Sequence, residues 1–398
     1  MKIYDIGKKI VQTFISQGYL SYFVGGWVRD FLLCIPSEDI DIVTEAPISV
    51  TQKLFLKTIP VGAKFGVLLV VEEGHTFEVA MLRADGDYRD GRRPDRISHA
   101  SLKEDAFRRD FTVNGMYYDP LNEEIYDYVH GREDIERRII RTIGDPQKRF
   151  SEDRLRMMRA VRYSVKLSFF IEERTFRAIT HQAQELLSSV SIERVWQEFE
   201  KIDRFSSLAP SIVLLYKTKL LFSLFPSLQK KSLLEMAHLV YNIPFFPKNS
   251  PTISKLYELF PGISLHERLN LCQYFKLSRR ERSFSRELHL WFSTEHFDLC
   301  DWAHLYALPN AEICEEIIVL HDPKQKFFHK RQKEKLMFFI DRIKNRNPLI
   351  AARDIINLGY CPGKKVGDLL KIAEKIAINE NIVDKKEVIL RLISFLKK

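Results

Sequence analysis

Apolar positions along the chain follow two different periods. Up to about residue 140, short apolar runs alternate with polar breaks, a pattern of strands interleaved with helices. Met1–Gly18 reads as an amphipathic helix, without the continuous apolar stretch or cleavage site of a signal peptide. Tyr22–Val24 predicts a strand ending in Gly25-Gly26, and Ile40–Val43 a second. Gly66–Val71 and Thr76–Met81 predict a hairpin around Glu73-Gly74. Arg83–Arg96, dense in Asp, Arg and Gly with no apolar period, is expected to be a mobile loop. From Ser151 onward the period is helical, as in Leu155, Met158, Val161 and Val165. Breaks fall at Phe225-Pro226, Pro244–Pro251 and Asn347-Pro348. The architecture expected is an α/β head (1–140), then an all-α neck (141–203), body (204–320) and tail (321–398).

Composition adds to this picture mainly through charge. The net charge is +9, yet His321–Lys398 holds 19 Lys and Arg against 9 Asp and Glu, so the last fifth carries the whole excess. A basic terminal region on a near-neutral body points to a polyanion, because cationic side chains displace counterions from phosphates. A solvated lysine-rich helical surface would have the same composition. The five cysteines are scattered and unpaired in sequence, as expected of reduced thiols in the cytoplasm. No apolar run is long enough to span a membrane. Aromatic pairs such as Phe245-Phe246 and Phe327-Phe328 are expected in the core.

Candidate chemistry begins at Glu38-Asp39-Ile40-Asp41-Ile42-Val43. On a strand, Asp39 and Asp41 share one face while Ile40 and Ile42 face the core. Two carboxylates so placed repel unless a cation lies between them, and hard oxygens suit Mg²⁺. Such a pair can serve phosphoryl transfer with two metals; alone, it is more often a solvated strand end or turn. Val24-Gly25-Gly26-Trp27-Val28-Arg29-Asp30 runs a strand through two glycines into a helix. Gly25 and Gly26 would let the backbone approach phosphate oxygens, with Arg29 one turn on as a forked donor. Glu78, an acid among apolar residues in a predicted strand, is a candidate third carboxylate.

In order along the chain, these blocks resemble the class II tRNA nucleotidyltransferases (CCA-adding enzymes) and the bacterial poly(A) polymerases related to them. The resemblance runs from Gly25 to about Lys201, with a further patch near the C-terminus. It implies a polymerase-beta-like nucleotidyltransferase head. Asp39 and Asp41 would be the metal ligands, Gly25, Gly26 and Arg29 would lie on the triphosphate, and Glu78 would be the third carboxylate. Asp87–Asp95 resembles the family's flexible loop. Glu104–Asn114 is similar to its ribose-sensing motif, which implicates Arg108, Arg109, Asp110 and Asn114 in nucleotide binding. Arg108 and Arg109 cannot share a helix face, so one is expected on the ligand and the other on an acid such as Asp105. Arg141–Phe150 resembles the hinge, Ser151–Tyr163 the nucleotide-selecting helix and Ile192–Lys201 the helix after it. The chain departs from the family's pattern at Trp27, Cys34, Gly115 and Ser168. The second and fourth stand where glycine is frequent, and Gly115 where alanine is usual.

Within Ser151–Tyr163, Asp153 and Arg156 are expected to be neighbours one helical turn apart. A carboxylate accepts from the exocyclic amine that adenine and cytosine share, while a guanidinium donates to a ring nitrogen. Glu152 sits beside them, and Arg159 and Arg162 continue around the helix toward ribose and phosphate. In the tail, Arg353–Gly367 reads as helix, Gly/Pro turn and helix, with Lys364 and Lys365 set to hold RNA phosphate. That patch and Val61–Val67 are similar to CCA-adding enzymes more than to poly(A) polymerases. The resemblance implies addition of C and A from CTP and ATP to the 3′ end of tRNA, with Mg²⁺ and pyrophosphate release. The competing expectations are a poly(A) polymerase acting on RNA 3′ ends and a catalytically idle RNA-binding protein on the same fold.

Overall fold

The computed structural model describes residues 2–62, 66–86, 97–205 and 208–397. The chain divides into two compact units, residues 1–237 and 238–398.

The first unit opens on the helix Ile3–Ser16, whose Ile6, Ile10, Val11 and Phe14 form one buried stripe. The strands that follow are β1 (Ser21–Val24), β2 (Asp41–Thr44), β3 (Thr58–Gly62), β4 (Val67–Glu72), β5 (His75–Met81), β6 (Arg83–Asp85), β7 (Ile97–His99), β8 (Met116–Asp119) and β9 (Glu124–Asp127). Seven of them make one mixed sheet in the order β3-β4-β5-β2-β1-β8-β9. β2 and β5 run parallel, whereas β1 pairs antiparallel with β2 and β8. Tyr22, Val24, Val43, Leu82, Ala106, Tyr117, Val129 and Ile143 form one buried cluster in this unit. The predicted strands and hairpin are present within a residue or two. The polar stretch expected to be a loop is not one throughout: β6 pairs with β7, Arg83 opposite His99. The loop motif at 87–95 and Ala63-Lys64-Phe65 lie outside the described residues.

The predicted helix Ser151–Tyr163 is two helices, Pro146–Glu152 and Leu155–Leu167, parted where Asp153 turns extended at φ −149°. The first has Asp145 as its N-cap and Pro146 at its start. Leu155, Met158 and Val161 are buried as their spacing predicts. Ile192–Phe205 packs against this neck helix through Val195, Phe199 and Ile202.

The departures have physical contexts. Cys34 (φ 56°) and Ser168 (φ 55°) both hold the left-handed conformation that glycine adopts without strain. At Gly115, a Cβ would lie 2.8 Å from Val129 Cγ2 and 2.9 Å from Ile143 Cδ1, so these side chains fill the space an alanine needs. Trp27 stacks on Phe31 and meets Tyr4, Phe23 and Tyr118 in one aromatic cluster.

The second unit is helical. Its longer helices are Leu265–Tyr274, Arg279–Trp291, Ala311–His321, Gln325–Lys344, Lys364–Asn379 and Lys385–Leu396. Ser264 and Ser278 close capping boxes with Glu267 and Glu281. Of the aromatic pairs expected in the core, Phe246 is buried, but Phe245, Phe327 and Phe328 are exposed. Adjacent residues lie about 100° apart on a helix, so a consecutive pair rarely shares the core stripe. No helix among the described residues is long and apolar enough to cross a membrane.

Candidate active site

The acidic pole forms where β2 meets its neighbours. β2 begins at Asp41; Asp39 lies just before the strand and is exposed, while Ile40 and Ile42 are buried. The expected alternation holds although only one of the two aspartates is in the ladder. Parallel pairing of β2 with β5 sets Asp41 opposite Glu78, a relation that spacing along the chain does not contain. On the other side, Asp41 pairs with Val24, so Gly25 follows directly at the strand end. Gly25 has φ 75° and ψ −128°, a conformation that a residue with a Cβ adopts only under strain. A Cβ built there would lie 3.7 Å from Arg109 Nη1 and 3.8 Å from Asp41 Oδ2, so the glycine, the arginine and the aspartate converge.

Burial raises the Asp41 carboxyl to about pH 7, reinforced by Glu78 and Asp39 and opposed by Arg109. Glu78 is raised by burial and by Asp39, with Arg109 and Arg83 opposing. At Asp41 and Glu78, burial and the neighbouring carboxylates together outweigh the arginines. Among the described residues, no group of three or more His, Cys, Asp or Glu side chains forms a ready metal cage. A hard divalent cation still fits the donors. Mg²⁺ commonly takes one or two carboxylates and completes its shell with water and phosphate oxygens.

Beside the acids stands a set of buried arginines. Asp105, fully buried, accepts from Arg108 Nε at 2.8 Å, Arg109 Nε at 3.0 Å and the Tyr117 hydroxyl at 2.8 Å. Both arginines therefore reach the same acid, from three and four residues on, where one had been expected on the ligand. They use opposite oxygens of its carboxylate. Burial alone would raise Asp105; Arg109 and Arg108 outweigh it and hold the carboxyl at about 2. Arg29 is buried, donating to Asp30 at 2.6 and 2.8 Å and to Asn114 at 2.5 Å. Gly26 lies against it, since a Cβ there would be 3.5 Å from Arg29 Nη2. Asp110 accepts from Arg159 at 2.6 and 2.7 Å and from Asn114 at 3.4 Å. Arg29, Arg159 and Arg162 all approach the Tyr163 ring.

The neck pairs differ from those expected. Because Asp153 leaves the helix, its carboxylate meets Arg194 at 3.0 Å and the Leu155 amide at 3.1 Å. Arg156 pairs instead with Glu152 at 2.8 Å, an acid it shares with Arg149 at 2.6 Å. Arg149 also donates to the Arg109 carbonyl at 2.6 Å, which ties the neck to the ribose-sensing motif. Arg162 is held by buried Glu198 at 2.7 Å. Asp105 was expected to hold one arginine and holds two. Tyr117, Arg149, Arg194 and Glu198 were not among the sequence candidates; their only signal was position inside or near a motif. In the second unit, Lys364 and Lys365 are exposed at the start of Lys364–Asn379, after Gly363, and Lys365 lies over Tyr360.

Asp110 gives a pH prediction. Burial would raise its carboxyl, but Arg159 holds it at about 2, below the unfolded value of 3.8. Its contribution, roughly 2 kcal/mol, is present above pH 3.8 and is lost as pH falls through 2. Asp110→Asn therefore flattens the fall in stability between pH 4 and 2, read as melting temperature against pH. An unchanged slope would contradict the pairing.

Known proteins match this chain in sequence and in fold. Residues 21–141 match the Poly A polymerase head domain, and residues 168–232 match the probable RNA and SrmB-binding site of polymerase A. The fold is thus that of a polymerase-beta-like nucleotidyltransferase head followed by helices. The chain is 43% identical over 225 residues to a CCA-adding enzyme of Bacillus pumilus, 56% of each chain. It is 46% identical over 212 residues to one from Geobacillus stearothermophilus, 53% of this chain and 52% of that one. These alignments span about half the length of the relatives. A crystal structure of the Bacillus stearothermophilus CCA-adding enzyme in complex with CTP superposes with a TM-score of 0.83 at 28% identity, covering 100% of this chain and 99% of that one. Over these regions the chain is similar to CCA-adding enzymes, and its first part carries the Poly A polymerase head domain.

Proposed function

We propose that this protein is a template-independent nucleotidyltransferase that adds C and A from CTP and ATP to the 3′ end of tRNA in the cytoplasm. The observation that carries the reading is the convergence of Asp41, Glu78, Gly25 and Arg109 at the end of β2, one motif away from the neck arginines. Relatives named CCA-adding enzyme, one of them solved with CTP, support the same substrates.

Asp39 and Asp41 would hold Mg²⁺, with Glu78 adding negative charge beside them. When bound, the metal supplies a Lewis acid that activates the RNA 3′-hydroxyl and offsets charge on the departing pyrophosphate. The protein's own groups do the rest. Gly25 keeps the strand end free of a side chain where the triphosphate approaches. Arg109, held by Asp105, presents a fixed positive charge to that space. Arg159 and Asp110 brace each other at the ribose-sensing motif. Arg29 and Asn114 act from behind as a buried pair, and half-buried Arg108 shares Asp105 with Arg109.

Asp153 and Arg156 are the proposed base readers, the carboxylate accepting an exocyclic amine and the guanidinium donating to a ring nitrogen. Nucleotide entry would exchange the Arg194 and Glu152 pairs for base-edge contacts, while Arg162 stays braced by Glu198. Lys364 and Lys365 would contact RNA phosphate.

The test is incorporation with the full chain, Mg²⁺, CTP and ATP, on tRNA lacking its last three nucleotides beside a generic oligonucleotide. The expected product is tRNA lengthened by C, C and A, with the oligonucleotide unchanged. Long A tails on both would make the protein a poly(A) polymerase, and no extension would make it an RNA-binding protein.

A further inference from the structure

The helical second unit contains a buried cation without an acid of its own. Arg268, on Leu265–Tyr274, is 7% exposed. Its Nε and Nη1 are buried with no hydrogen-bond partner among the described residues. Arginine stays charged in proteins, so this position carries a full positive charge. Two rings flank it, Tyr257 at 4.6 Å and Phe292 at 5.3 Å. They take up part of the charge but accept no in-plane hydrogen bond. The nearest candidate acid is committed elsewhere: Glu258 accepts from His321 at 2.9 Å and from Asn242 at 3.5 Å. That contact also raises His321 toward its charged form. Burial, with Arg268 close by, keeps His289 toward its neutral form. Arg268 thus feels the Glu258 charge but has no hydrogen-bonded acid at Nε or Nη1 among the described residues.

Arg268, Tyr257, Phe292, Glu258, His289 and His321 line one cavity of about 450 Å³. That volume is in the range of pockets that hold small ligands. A buried, unpaired charge is costly, and a counter-ion from outside the chain removes the cost. We propose that this cavity is a binding site for a phosphate group, held by the Arg268 guanidinium. A forked donor matches phosphate oxygens bidentately, and the aromatic and aliphatic walls leave room for whatever the phosphate is attached to. The site lies in the second unit and does not depend on the acids of the head. The phosphate comes either free in solution or as a phosphodiester of bound RNA.

The experiment measures the melting temperature of the full chain in sodium phosphate against sodium chloride at equal ionic strength. Wild type is expected to gain about 3 °C or more in phosphate. Arg268→Met is expected to lose at least half of that gain while melting no lower than wild type in chloride. Arg268→Lys keeps the charge without the fork and is expected to fall between them; it serves if the methionine variant fails to fold. The second arm measures tRNA affinity against salt. A slope smaller by about one in Arg268→Met assigns the site to an RNA phosphodiester, and that result supports the proposal even without a phosphate effect on melting. A phosphate gain with an unchanged slope assigns it to free phosphate. Equal phosphate gains in wild type and Arg268→Met, or no gain together with an unchanged slope, overturn the proposal.

Discussion

Asp41→Asn is expected to abolish nucleotide incorporation and, in the absence of divalent metal, to stabilise the protein. The two effects have one cause. The Asp41 carboxyl is raised to about 7 by burial, Glu78 and Asp39. A raised carboxyl means that the folded state resists ionisation more than the unfolded chain does. Stability is then highest at acid pH, falls as pH rises from the unfolded value through about 7, and levels off above it. Removing the charge removes that loss, so with a chelator present the variant melts higher than wild type at pH 8, and the advantage disappears at pH 4. The same repulsion is what a cation and a triphosphate would turn to use, and without the carboxylate that stabilisation of the reacting groups is gone. The loss in kcat/KM is expected on the order of 10³-fold or more. A residue kept only for structure would lose stability and activity together. Opposite directions mark a site built at the expense of the fold. Activity within tenfold of wild type would remove Asp41 from the proposed chemistry.

What the sequence disclosed follows from the reach of the interactions involved. Strand alternation is local, so Ile40 and Ile42 could be assigned to the core and the aspartates between them to the other face, and both isoleucines are buried. The glycine turn was equally legible, because the positive φ at Gly25 is a property of one residue. The partnership of Asp41 with Glu78 was not, because it depends on a parallel register between strands 37 residues apart in sequence. The neck failed for a subtler reason. The period of Leu155, Met158 and Val161 is correct, but periodicity does not locate a break. Once Asp153 turns extended, the expected neighbour of Arg156 is replaced by Glu152, four residues before it in the chain. Arginines were the hardest to assign. Each has several acids within reach, and only the fold decides that Arg29 meets Asn114 or that Arg162 meets Glu198.

Asp105 shows how much of the site such buried pairs support, and Asp105→Asn is expected to have the largest effect on stability. Its carboxylate is fully buried and accepts from two guanidiniums, the Tyr117 hydroxyl and the Arg83 amide at 3.3 Å. Asparagine keeps the shape but removes the charge and presents donors toward donors. Arg108 and Arg109 then lose their common counter-ion in a poorly solvated place, at a cost of about 3–5 kcal/mol. Urea unfolding should show this as a lower midpoint with an unchanged slope. The variant should also lose activity without losing Asp39, Asp41 or Glu78, because Arg109 is no longer held beside Gly25 and Asp41. Arg109→Met in the Asp105→Asn background separates the two contributions. If Asp105 acts chiefly by holding Arg109, the double variant is much less destabilised than the sum of the single ones. Strict additivity would mean that the two side chains are energetically independent, and that Asp105 is a core acid with no bearing on the site.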